Sequence, residues 1–379
     1  MKANFAPKYI QSIGNSFILW FQSSNTYAVI SAEAYRILKI YLQSKSVKEF
    51  GESLCIQDHN QKDRYQELYI ELTTFLKTSN TEDELLTEEH FDDIKIPDKL
   101  ISRSYDFGNK KIKLLFGSPK IEQLFHPQLA HCSETSETSE GIIFSIFEVD
   151  GYLLLYKDQT CIYSCPVKDY YLLQGRFALE LTSVIHNKDS DKWLATFHAS
   201  TVCNSNEAVM LIGDSGNGKS TLSAILMANG FDLLSDDFTP FYFEDLSVYR
   251  YPAAISIKEG AFLPVENNIK GFKSLPTYYN GPKRINIKYV PPSKDFKSSI
   301  KKLPCNKIVS VKYSKDCHST FKKVSEENIL RILIPDSWIS PKQEHAKQFL
   351  NWLSTIEFYE LNYSDNDFAI QSLRSLMSD

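Results

Sequence analysis

The sequence has no long apolar run. Within its 379 residues, no stretch approaches the roughly 20 apolar residues that a membrane-spanning helix needs. The opening MKANFAPKYIQSIGNSF also lacks the apolar centre of a secretory signal. The expectation is a cytoplasmic protein without a membrane partner. Positive charge is not in excess either. With 42 Lys and Arg against 47 Asp and Glu, the formal net charge is -5. Both signs are spread along the chain, so the electrostatic footprint of a nucleic-acid partner is missing. Cysteine pairs are missing too: the seven cysteines are odd in number, irregularly spaced and without a CxxC pair or a matching His cluster. That argues against a zinc site or a disulfide framework and suits free thiols in a reducing compartment. What is plentiful is aromatic, 24 Phe and 21 Tyr, enough to build cores and to argue against long disorder. A chain of this length points to two or three domains.

Residues 16–30, SFILWFQSSNTYAVI, are two β-rich runs around a Ser-Ser-Asn turn and predict a hairpin. SAEAYRILKIYLQ follows with Ser31 as N-cap and Ala34, Ile37, Leu38, Tyr41 and Leu42 on one helical face. SVKEFGESL and DRYQELYIELTTFLKT offer two more amphipathic helices, which defines a small module over residues 1–79. An acidic linker is expected over 80–99, where Glu82, Asp83, Glu84, Glu88, Glu89, Asp92 and Asp93 crowd together. From about 100 the pattern turns strand-like, in KKIKLLFGS, GIIFSIFEV, YLLLYK and TCIYSC, interrupted by the polar tract SETSETSE, an expected exposed loop. VKDYYLLQGRFALELTSVIH then reads as a helix, and KWLATFHAST and EAVMLIGDSG as two strands. The expected order is therefore a β-rich part at 100–194 and an α/β core at 195–379.

The chemistry-bearing stretch is GDSGNGKST, Gly213 to Thr221, which satisfies G-x(4)-G-K-[ST] between the apolar strand AVMLI and the helix STLSAILMANG. Strand, glycine loop and helix are the order this chemistry requires. Glycines let the backbone curl so that amides and a helix N-terminus converge on phosphate oxygens. The candidate nucleotide ligands are Gly213, Asp214, Ser215, Gly216, Asn217, Gly218, Lys219, Ser220 and Thr221. Lys219 would reach the β- and γ-phosphates and Ser220 would complete a Mg²⁺ shell, making ATP and Mg²⁺ the expected cofactors. Seventeen residues after Lys219, the strand FDLLSDDF ends in Asp236 and Asp237. Neighbouring side chains on a strand point to opposite faces, so the two can share a site only if the strand has ended and the chain turns there. One carboxylate would then hold the metal and the other would accept a proton from an attacking hydroxyl; the spacing alone does not say which. His198 is a candidate contact near the transferred phosphate, and Arg250, Lys258 and Arg284 are candidate cations for the phosphate or the acceptor.

Taken together, H-A-S-T, GDSGNGKST and LLSDDF resemble the C-terminal catalytic domain of HPr kinase/phosphorylase and its stand-alone serine-kinase relatives, over about 195–375. The resemblance implies a P-loop kinase domain of the HPr kinase and phosphoenolpyruvate carboxykinase type, and a homo-oligomer. By resemblance Asp236 maps to the catalytic base and Asp237 to a metal ligand with Ser220. Departures stand beside it. Thr221 occupies the place where those enzymes usually carry Glu, and VYRYPAAIS replaces their glycine-rich downstream signature. Both argue against the reverse, phosphate-dependent reaction and against HPr as the substrate. Residues 7–78 resemble the PqqD type of winged-helix domain, which binds leader peptides of ribosomally made precursors. The combination implies a kinase acting on a serine of a peptide or small protein; a small-molecule kinase and a nucleotide-gated peptide-binding module remain the alternatives.

Overall fold

The computed structural model describes residues 2–54, 62–81, 94–108, 110–135, 141–282 and 284–378. Most of the acidic stretch and residues 136–140 of the polar tract lie outside these. The chain is mixed α/β with several sheets. It forms two compact units: Met1–Leu86 with Val324–Phe358, and Thr87–Lys323 with Tyr359–Asp379.

In the first unit the strands Tyr9–Ile13, Ser16–Phe21 and Thr26–Ser31 make an antiparallel meander, one strand more than the expected hairpin. Three helices follow, Ala32–Gln43, Val47–Ser53 and Lys62–Ser79. Ser31 and Ser46 cap the first two, each accepting from a backbone amide at 3.2 Å, the role Ser favours at an N-terminus. Strand alternation sends Leu19 and Phe21 to one face of the sheet, where they pack in one core with Leu38, Tyr41, Phe50 and Leu76. Ile18 and Trp20, on the other face, are equally buried. Part of the cover there comes from the far end of the chain. Phe349 stacks edge-on against Tyr27 at 5.4 Å, Glu326 accepts from the Asn15 amide at 2.9 Å, and Asn25 donates to the Ile339 carbonyl at 2.7 Å. The helices Glu326–Leu333 and Gln343–Leu353 thus complete a module whose sequence begins more than 300 positions earlier.

Among the described residues the second unit contributes strands to three sheets. A six-stranded one contains the four expected strands, seen at Lys111–Phe116, Ile142–Val149, Tyr152–Lys157 and Thr160–Pro166. Lys111–Phe116 and Ile142–Val149 pair in parallel across the helix Pro119–Leu129, since parallel neighbours need such a crossover. The helix Tyr170–His186 packs Phe177 edge-on against Phe125 and Phe144 in this core. The largest sheet carries the glycine loop. Its strand Ala208–Ile212 is buried throughout and lies between Ser200–Cys203, antiparallel, and Lys302–Tyr313, parallel. A run of five buried apolar residues suits a strand covered on both faces. The third sheet is small, with Ile285–Val290 between Ile255–Lys258 and Thr277–Asn280.

The stretch KWLATFHAST was expected as one strand and is two. Trp193–Phe197 pairs with Thr239–Tyr242, the chain bends at His198 and Ala199, and Ser200–Cys203 pairs with Ala208–Ile212 and Asp232–Ser235. A buried hydroxyl network fixes that bend: Thr239 Oγ1 donates to the Ala199 carbonyl at 2.9 Å and lies within hydrogen-bonding distance of Thr201 and Ser235. Among the described residues no helix is long and apolar enough to cross a membrane, and no disulfide joins any of the six described cysteines.

Candidate active site

The glycine loop runs from the end of Ala208–Ile212 into the helix Lys219–Ala228. Gly213, Gly216 and Gly218 all take positive φ (146°, 96° and 91°), where L side chains are strained. Gly213 has no room for one either, because a Cβ there would sit 2.7 Å from the Val311 carbonyl oxygen. The helix opens without a side-chain cap, Gly218 standing where Ser31, Ser46 and Ser118 cap other helices. Its first amides therefore look into the loop, the arrangement that receives an anion. Lys219 is buried and its ammonium donates to the Gly213 carbonyl.

The strand Asp232–Ser235 ends directly before the two acids, and Asp237 takes φ 60°, a left-handed turn that Asp tolerates. The turn brings both carboxylates to one residue. The Ser256 amide donates to Asp236 Oδ2 at 3.3 Å, and the Ser256 hydroxyl donates to Asp237 Oδ2 at 3.4 Å. Asp236 is buried and also accepts from the Ser200 hydroxyl, with Ser220 of the loop helix near enough to favour its charged form. Burial first, and the Asp237 charge second, push its carboxyl up from 3.8 to about 7, against the opposing pull of those hydrogen bonds. Asp237 stays exposed.

Lys258 lies two residues beyond Ser256 on the strand Ile255–Lys258, hence on the same face. Its ammonium reaches Ser215 Oγ of the loop at 3.2 Å. A single short strand thus presents one residue to the acids and another to the loop, while Ile255 and Ile257 anchor its back in the core. His198 is exposed on the bend two residues ahead of Ser200. Arg284 is exposed in the turn after Thr277–Asn280 with φ 52°. Because Lys258 is paired with Ile287, that turn lies at the Lys258 end of the small sheet.

Arg250 is a correction. Expected near phosphate, it is 2% exposed and forms an ion pair with Asp232 at 2.8 Å. Its Nε donates to the Ile300 carbonyl at 2.7 Å. Asp232 opens the strand whose far end leads to the acid pair, so Arg250 secures the sheet rather than the loop. Sequence reasoning missed Ser200 and Ser256. Ser200 stood inside the quoted H-A-S-T, while Ser256 carried no signal, since a lone Ser in an apolar strand is unremarkable until its partner strand is known.

No family model matches this chain, and no curated protein matches it. Among solved structures it aligns with the Hpr(Ser) kinase/phosphatase from Coxiella burnetii at 13% identity and a TM-score of 0.23, covering 48% of this chain and 95% of that one. So distant a likeness leaves the chemistry to be argued from this chain's own geometry.

Proposed function

We propose that the protein is an ATP- and Mg²⁺-dependent kinase whose acceptor is a serine hydroxyl of a peptide or small protein. The observation that carries this reading is the strand-end turn that sets Asp236, a buried acid held near neutrality, and exposed Asp237 both against Ser256, on the strand whose Lys258 reaches the glycine loop. A passive nucleotide site has no use for such an acid, whereas a general base works best with a pKa close to the working pH.

The donor set fits the groups this reading requires. Loop amides and the Lys219 ammonium suit phosphate oxygens. One hydroxyl and one carboxylate, both oxygen donors, suit Mg²⁺, which needs few protein ligands because it keeps waters and phosphate oxygens around it. Ser220 and Asp237 would hold the metal, which when bound would offset charge on the β- and γ-phosphates. Asp236 takes the proton of the seryl hydroxyl as its oxygen forms a bond to the γ-phosphorus. The bond from that phosphorus to the bridging oxygen breaks, and ADP departs with the electron pair. Lys219 and Lys258 face the charge that develops, and the Ser200 and Ser256 hydrogen bonds keep Asp236 in place for it. His198 and Arg284 are left for the acceptor side. The N-terminal module would then serve as a docking domain for a leader segment, raising the local concentration of a weakly bound acceptor.

Incubation with γ-labelled ATP and Mg²⁺, against serine peptides in one arm and cell metabolites in the other, tests the reading. Labelled phosphoserine is the expected product. Label in a metabolite alone would move the acceptor to small molecules, and bound nucleotide with no labelled product in either arm would refute the kinase.

A further inference from the structure

Within the second unit lies a cavity of about 410 Å³ that the loop and acid pair do not use. Ile121 and Leu124 of the helix Pro119–Leu129 form one wall, Val167 and Tyr170 a second, and Tyr278 and Tyr289 of the small sheet a third. That size falls within the range of ligand pockets, and such pockets are mostly apolar with a few polar groups at their margin. Here the margin carries Lys120, Lys168 and Glu148, charges of both signs, which gives no preference for a charged occupant.

Tyr289 joins this cavity to the acids. It is the direct cross-strand partner of Ser256, so the two side chains share a face of the sheet. Ser256 is the residue that touches both Asp236 and Asp237. An acceptor hydroxyl presented to the acids therefore has a mostly apolar chamber one strand away. The third wall also includes Tyr278, Tyr279 and Asn280 of Thr277–Asn280, an outer strand of its sheet. Main chain can run along such an edge in extended form. The Tyr279 carbonyl there is tied back to the crossover helix by Gln123 at 2.9 Å, which keeps the wall in place.

The geometry points to this cavity as the docking site of a peptide acceptor, receiving a bulky apolar or aromatic side chain that flanks the phosphorylated serine. The serine's fate rests on the kinase reading; the apolar contact does not. The test uses the full chain with Mg²⁺ and a non-hydrolysable ATP analogue. Fluorescein-labelled peptides with a central Ser, flanked by Ala, Asp, Lys, Leu or Phe, are ranked by anisotropy. The Leu and Phe peptides are expected to bind roughly tenfold or more tightly than the Ala peptide, as burial of such a side chain implies. Leu124→Trp and Val167→Trp, both at half-buried wall positions, fill the chamber and should flatten the ranking while nucleotide affinity stays unchanged. Thermal melting identifies any variant that fails to fold; the other variant then decides, and the wild-type ranking decides if both fail. A flat wild-type ranking, or a preference that survives in a folded filled variant, overturns the docking site. The same panel run with γ-labelled ATP separates the two ideas. A steep ranking without phosphopeptide refutes the kinase alone, and phosphopeptide with a flat ranking refutes the docking site alone.

Discussion

Asp236→Asn should stabilise the protein at alkaline pH while abolishing transfer. The folded carboxyl ionises at about 7 rather than 3.8. Between those values the folded chain keeps a proton that the unfolded chain has lost. Stability of the wild type therefore falls as pH rises through that window, by up to about 1.4 kcal/mol per unit, and levels off above it. Summed over the window, the cost of holding the ionised acid has a ceiling on the order of 4 kcal/mol. The Asn variant does not bear this cost. It does lose part of the hydrogen bonding from Ser200 and the Ser256 amide, at about 1 kcal/mol for each bond lost. The net expectation is a variant more stable than wild type by roughly 1–3 kcal/mol at pH 8, with the advantage shrinking toward pH 5. Urea denaturation of both proteins at several pH values measures it. A stability difference that does not change with pH would refute the argument, because Asp236 would then ionise like an exposed aspartate.

Gly213→Ala places a Cβ 2.7 Å from the Val311 carbonyl at a φ of 146°. It should cost at least about 2 kcal/mol in denaturant titration and also lose nucleotide binding. Lys258→Ala removes an exposed cation that touches Ser215, so stability should stay within about 0.5 kcal/mol. Its transfer rate, from initial-rate kinetics, should fall roughly ten- to a hundredfold. Asp232→Ala leaves Arg250 buried without its carboxylate and should lower stability by about 3–5 kcal/mol. The remaining folded fraction should bind nucleotide normally, as isothermal titration would show.

The glycine loop was legible because its geometry is local: three glycines at positive φ between a strand and a helix leave a pattern in consecutive residues. The turn at the acids could also be expected, since two neighbouring carboxylates serve one site only where a strand stops, and the strand does stop at Ser235. The environment of Asp236 was not legible. Ser200 and Ser256 come from strands on opposite sides of it in sequence, and only the pairing register brings them together. Arg250 misled because its residue type suits phosphate and a buried carboxylate equally well; Asp232 decides between them. The contribution of residues 324–358 to the N-terminal unit had no local trace either, as contacts such as Asn15 to Glu326 join segments that share no repeat or motif.

The central claim is that Asp236 takes a proton during phosphoryl transfer. The most direct measurement is label transfer from γ-labelled ATP by wild type and Asp236→Asn side by side, with nucleotide affinity determined for each. The account predicts phosphoserine from the wild type, none above background from the variant, and similar nucleotide affinity in both. Equal transfer by the two proteins would contradict it.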